Sequence, residues 1–300
     1  MKNFKSIVRD IKEIKIQGAQ SVAKAAAQGI ISVAEDSKRF SRKILLMELE
    51  KSRKVLIGSR PTEPAMRNVL SFLFYELDKH EDILSELNKR SKYIKKHFEE
   101  SEKNISKIGA KKISKESVVF THCHSSTVVN ILKEAKKKDK KKFEVYNTET
   151  RPLFQGRLTA KALSRVDIPV VHFVDSGGRI ALKEADIMLI GADAISSEGK
   201  VINKIGSEMF AEIADKYDVP VYVCSDSWKF DPKSVFGYEE EIERRSSKEI
   251  WAAPPEGVNI SNLAFEKVSS DLITGVISEL GVYKPEIFVE EVKKAYPWMF

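Results

Sequence analysis

Over residues 1 to about 110 the apolar positions fall near helical spacing. In "GAQSVAKAAAQGIISVAEDSKRFSRKILLMELEKSRKVLIGSRP" this pattern runs from Gly18 to stop signals at Gly58 and Pro61. A second helical stretch starts around Glu63 and includes "VLSFLFYEL"; a third, rich in Lys and Glu, runs from about His80 to Lys103. The segment "NISKIGAKKISKES" has few large side chains and reads as a boundary. The chain thus divides into a helical N-terminal domain, 1–110, and a second domain, 111–300.

From Ser117 the period changes. "VVFTH", "FEVYNT", "IPVVHFV", "ADIMLIG" and "VPVYVCS" are short apolar runs rich in β-branched and aromatic residues, separated mostly by helical stretches. Near-continuous apolar strands alternating with helices predict an α/β domain, a doubly wound, mainly parallel Rossmann-like sheet covered on both faces. In such sheets ligands sit beyond the carboxyl ends of the strands. Those ends carry His122-Cys123-His124, Thr148 to Arg151, Asp175 to Gly178, Gly191-Ala192-Asp193 and Ser225-Asp226, so titratable residues gather at one rim.

Composition narrows the classes. An apolar fraction of 42% supports a sizeable core, and 32% charged residues a solvated surface. No apolar run is long enough for a membrane span, and the N-terminal stretch lacks a signal peptide's apolar region. Two cysteines, Cys123 and Cys224, exclude a disulfide framework and point to a reducing cytoplasm. The net charge of +7 sits largely in Lys133 to Lys142 and Asn88 to Lys96. No aromatic-interleaved RNA-binding signature accompanies these patches, so they read as solvated faces rather than a nucleic-acid site.

Cys123 ends a strand just before a helix that opens near Ser125. Backbone N–H groups there favour thiolate and, with Ser126 and Thr127, a bound phosphate. His122, Cys123 and His124 are consecutive and alternate in direction, so they do not converge on one metal ion. Asp193 follows a strand in a small-residue turn, with Asn203 and Lys204 further on. Glu149 and Arg151 follow another strand and pair as an ion pair in the simplest reading; "DSGGR" at Asp175 to Arg179 is a strand-to-helix turn. There is no GxGxxG, no Walker motif and no metal-ligand set, so no cofactor is expected.

"THCHSS", "TETRPLFQGRLTA", "IPVVHFVDS", "GADAISSEGKVINKIGS" and "DSWKFDP" occur together and in order. With "IQGAQSVAKAAA", "GSRPT" and "LITGVISELGVYKPEIF" they resemble a family of aldose-1-phosphate isomerases and the alpha, beta and delta subunits of translation initiation factor 2B. The resemblance implies a cysteine and an aspartate at Cys123 and Asp193 as the base and acid of an aldose–ketose isomerisation. It also implies a sugar-phosphate shell of Gln17, Gly18, Ala19, Gln20, Arg60, Ser125, Ser126, Thr127, Asn203, Lys204 and Lys229. The isomerases read Arg-Gly-Ala where this chain has Gln17-Gly18-Ala19, which removes a bidentate phosphate clamp.

Both members of the catalytic pair are present, which favours an enzyme over an initiation-factor-like regulatory subunit. "GVNISNLAFEKV" is similar to the ribose-1,5-bisphosphate isomerases of archaea more than to the methylthioribose-1-phosphate enzymes. The expected partners are a phosphorylated pentose and further copies of the chain, as a homodimer or homohexamer, with AMP as a candidate effector. The implied mechanism needs the Asp193 pKa raised by burial and the Cys123 pKa lowered by its helix terminus. The apolar tail "AYPWMF" is expected to pack in a core or an interface.

Overall fold

The computed structural model describes residues 3–16, 18–137 and 142–300. Five helices come first: α1 (Phe4–Lys12), α2 (Ala19–Asp36), α3 (Arg42–Ser59), α4 (Pro64–Phe74) and α5 (Ile83–Ala110). The long periodic stretch from Gly18 is two helices, because Ser37 to Ser41 turn the chain between α2 and α3. Gly58 lies inside α3 rather than ending it. α5 extends into the "NISKIGAKKISKES" segment and ends at Ala110, with Ile105 and Ala110 buried on its apolar face.

The second part alternates β1 (Ser117–Thr121), α6 (Ser126–Lys137), β2 (Phe143–Thr148), α7 (Gly156–Ser164), β3 (Val170–Phe173), α8 (Gly178–Lys183) and β4 (Ile187–Ile190). There follow β5 (Ala194–Ile195), β6 (Val201–Lys204), α9 (Ser207–Lys216), β7 (Val221–Cys224), β8 (Phe265–Val268), β9 (Gly275–Ser278), β10 (Gly281–Tyr283) and α10 (Pro285–Ala295). A seven-stranded sheet has the order β10-β9-β7-β4-β1-β2-β3. Its pairings are parallel except for β10 against β9. β5, β6 and β8 form a small antiparallel sheet.

The central strands β1, β4 and β7 are largely buried on both faces, as their sequence requires; β3, at the edge of the sheet, leaves Val171 and His172 exposed, against the expected cover. Successive side chains point to opposite faces. Val119, Ile187 and Leu189 join one apolar cluster with Val128, Leu132 and Leu163 of α6 and α7. Phe120, Met188 and Ile190 join the other with Leu182 of α8 and Phe210 of α9. That second cluster continues into the helical part through α2, whose Ala23, Ala26 and Ala27 are small enough for close helix approach. The C-terminal tail packs into this core: Tyr296 and Met299 are buried, and the Trp298 ring meets Trp228 edge-to-face and Phe72 at a tilt.

Candidate functional site

β1 ends at Thr121, and the chain then turns sharply at Cys123, whose φ of 66 is left-handed. The conformation is held from both sides. The Cys123 N–H donates to Thr150 Oγ1 at 2.9 Å, and the Thr159 hydroxyl donates to the Cys123 carbonyl at 2.8 Å. That hydroxyl has one proton, so His124 Nδ1–H is the donor in its 3.0 Å contact with Thr159 Oγ1. Thr150 is in turn fixed by Asp175, whose carboxylate accepts the N–H groups of Thr150 and Arg151, each at 2.7 Å. Asp175 therefore builds the loop that builds the cysteine turn.

His122 is a strut. Its Nε2–H donates to the Ile205 carbonyl at 2.8 Å, so Nδ1 accepts from the Thr148 hydroxyl at 2.6 Å. Burial pushes its pKa down to about 4, which keeps the ring neutral. The hydrogen bond thereby ties the end of β1 to the turn after β6, where Asn203 and Lys204 lie.

Cys123, Asp193, Asn203 and Lys204 line one cavity of about 440 Å³, within the range of small-ligand sites. Arg60 and Lys229 reach it from other elements, and Gly18, Ala19 and Gln20 line it at the start of α2. Ser125, Ser126 and Thr127 contribute the start of α6, where Ser125 Oγ accepts the Val128 N–H at 3.3 Å. α2 starts from Gly18 at φ 84 with no side-chain cap, so its first backbone N–H groups are open to an anion. Gln17 lies outside the described residues.

The electrostatics correct one expectation. Burial pushes the Cys123 thiol up to about 11, against the pull of the Lys204 ammonium, which is the largest opposing influence. The helix N-terminus does not lower it below an ordinary thiol, because the sulfur is surrounded by protein. Asp193 behaves as expected: burial raises its carboxyl, and Lys229, Lys204 and Arg60 pull the other way. Both groups are thus protonated more readily than in water.

The cations are individually placed. Lys229 Nζ donates to the Ala192 carbonyl at 2.5 Å, beside Asp193. Lys204 is buried with its ammonium 4.7 Å from the centre of the Phe265 ring. Arg60 Nη2 lies 3.0 Å from Glu63 Oε1, and burial lifts the Glu63 carboxyl to about 7 despite that guanidinium. Arg245 also lines the cavity, held by Glu249 at 2.8 Å and Glu243 at 3.2 Å.

Several rim residues stay outside. Glu149 does not pair with Arg151; it accepts from Arg157 at 2.6 Å. Asp226 turns instead toward His97. Sequence reasoning missed Glu63, which pairs with Arg60 behind the cavity, and the lining residues Glu243, Arg245, Phe265, Leu153 and Leu158. The Arg60–Glu63 spacing of three was a readable cue; Glu243 and Arg245 lie in an irregular stretch with no periodicity to place them.

Comparison with known proteins agrees with this architecture. The sequence signature described as "Initiation factor 2 subunit family" matches residues 15–285. Ribose 1,5-bisphosphate isomerase of Pyrococcus furiosus is 33% identical, over 98% of this chain and 94% of its own length. Methylthioribose-1-phosphate isomerase of a Thermoanaerobacter species is 32% identical, over 95% and 88%. Among solved structures, the translation initiation factor eIF-2B of Pyrococcus horikoshii OT3 superposes with a TM-score of 0.82 at 27% identity, covering 95% of this chain and 98% of that one.

Proposed function

The chain belongs to the Initiation factor 2 subunit family, and from that premise we propose that it is a sugar-1-phosphate isomerase. We assign ribose 1,5-bisphosphate as the aldose and ribulose 1,5-bisphosphate as the ketose. The observation that carries the reading is the shared cavity. A thiol and a raised carboxyl face a space bounded by Arg60, Lys204 and Lys229 and by the first turns of α2 and α6. Two helix N-termini and three cations suit a substrate with two phosphates.

A sugar phosphorylated on C1 cannot open its ring as a free hemiacetal does. The ring C1–O bond must break while hydrogen moves from C2 to C1. Asp193, whose carboxyl pKa is raised by burial, is the acid for the ring oxygen. Cleavage leaves C1 electron-poor, and two routes then lead to the ketone. In one, the Cys123 thiolate removes the C2 proton to leave an enol, and the proton returns to C1 as the C2 hydroxyl gives up its own to the Asp193 carboxylate. In the other, the C2 hydrogen crosses to C1 as hydride and the C2 hydroxyl gives up its proton to the Asp193 carboxylate, restoring the acid. The raised thiol pKa favours the hydride route, with Cys123 as a neutral, close-packed wall of the cavity.

The test is turnover of purified protein with ribose 1,5-bisphosphate and with methylthioribose 1-phosphate, the former deuterated at C2. Ketose formation from ribose 1,5-bisphosphate with the deuterium retained at C1 is expected. Turnover of methylthioribose 1-phosphate alone would overturn the substrate, and deuterium loss to water would overturn the hydride route. The similarity to an initiation factor favours a second reading, a sugar-phosphate-binding regulatory subunit, which predicts binding without turnover.

A further inference from the structure

A second polar cluster lies away from the cavity, where the helical part meets the sheet. His97 projects from the middle of α5, Asp226 follows β7 and Glu279 follows β9, the parallel neighbour of β7. One ligand-type atom from each of the three lies within 4.8 Å of the others. Asp226 is 2% exposed, and its Oδ2 has no hydrogen-bond partner although it lies 3.4 Å from His97 Nε2.

That distance is informative. An imidazolium–carboxylate hydrogen bond closes to about 2.7–2.9 Å, and here both Asp226 oxygens stand 3.4 Å from Nε2. Ligands bound at about 2.0–2.1 Å in a tetrahedron stand about 3.3 Å apart. The remaining carboxylate positions are fixed from outside. Asp226 Oδ1 accepts the Trp228 N–H at 2.9 Å, and Glu279 accepts from the Ser227 N–H at 3.1 Å, the Ser227 hydroxyl and the Tyr296 hydroxyl at 3.1 Å. The His97 ring is held flat against Trp228, with centroids 4.1 Å apart. Such outer support is what orients metal ligands. Ser101, one turn along α5, brings its hydroxyl 3.5 Å from His97 Nε2.

We propose that His97, Asp226 and Glu279 form a binding site for one divalent cation of the zinc class, which ties α5 to the ends of β7 and β9. One imidazole and two carboxylates suit zinc or cobalt rather than a soft or an all-oxygen ion. The site is independent of the isomerase reading, since none of its residues lines the cavity.

The test is titration of chelator-treated protein with Co²⁺ and Zn²⁺, read by the visible Co²⁺ absorption, by bound metal per chain and by Tm. Wild type and Cys123→Ser should bind one ion with four-coordinate absorption and a higher Tm. His97→Gln should lose binding by more than the about 10–100-fold that an outer-partner change costs. If His97→Gln does not fold, Glu279→Gln serves, with the same expectation. No absorption band and no Tm shift in wild type would overturn the proposal. So would binding that survives both ligand substitutions or disappears in Cys123→Ser, which would place the ion at the cavity thiol.

Discussion

The neutral state of Cys123 can be measured directly through its reaction with iodoacetamide, which consumes only thiolate. With the pKa pushed from 9.0 up to about 11, about one Cys123 in 10,000 is ionised at pH 7, against about one in 100 for the ordinary thiol. Ionisation alone then slows alkylation about a hundredfold. Enclosure of the sulfur scales the rate at every pH equally and leaves the shape of the profile unchanged. In a Cys224→Ser background, the rate at Cys123, followed by mass spectrometry, should rise about tenfold per pH unit through pH 9.5 without levelling. Lys204→Met removes the strongest influence favouring thiolate and should lower the rate throughout. A plateau below pH 8.5, or a faster rate in Lys204→Met, would refute the account of the thiol.

Glu63 makes folding depend on pH in a window set by its own shift. Its folded pKa of about 7 exceeds its ordinary 4.5, so the folded state holds the extra proton, and the stability this gives is complete below pH 4.5 and lost as pH rises through 7. The difference is at most about 3 kcal/mol, so urea midpoints should decline across pH 4.5–7 less steeply in Glu63→Gln than in wild type; equal slopes would count against it. Gly156→Ala would set a Cβ 1.7 Å from the Thr148 carbonyl oxygen, backbone against backbone, where no side chain can give way. A loss of about 2–3 kcal/mol or more in urea unfolding is expected, and a change under about 0.5 kcal/mol would show that the α7 start is not locked to β2.

The parallel sheet was legible because its central strands are apolar on both faces and alternate with helical stretches, and the rim followed from it: Cys123 and Asp193 follow β1 and β4, adjacent strands of that sheet. The turn between α2 and α3 was not legible, since "DSKRFS" keeps a helix-compatible charge pattern and contains neither Gly nor Pro. The sign of the thiol shift was missed for a different reason. Position before a helix can be read from sequence, but enclosure by Thr150, Thr159 and the α2 start depends on tertiary packing. The same holds for His97, Asp226 and Glu279, which lie on three distant elements with no spacing to betray them. Arg245 and Glu243 enter the cavity from a stretch without period, and only coordinates could bring them there.

In the proposed function Asp193 is the acid toward the sugar phosphate and Cys123 is a neutral wall of the same cavity. The most direct test is kcat of Cys123→Ser and Asp193→Asn with ribose 1,5-bisphosphate, alongside calorimetric binding of the same ligand. Asp193→Asn should lose about 10²–10⁴ in kcat, as removal of a general acid does, while Cys123→Ser, which alters only a neutral wall of the cavity, should lose less than tenfold, and both should still bind the ligand. Turnover within tenfold of wild type in Asp193→Asn would contradict this, as would a loss of about a hundredfold or more in Cys123→Ser, which would put the thiol into the proton transfer.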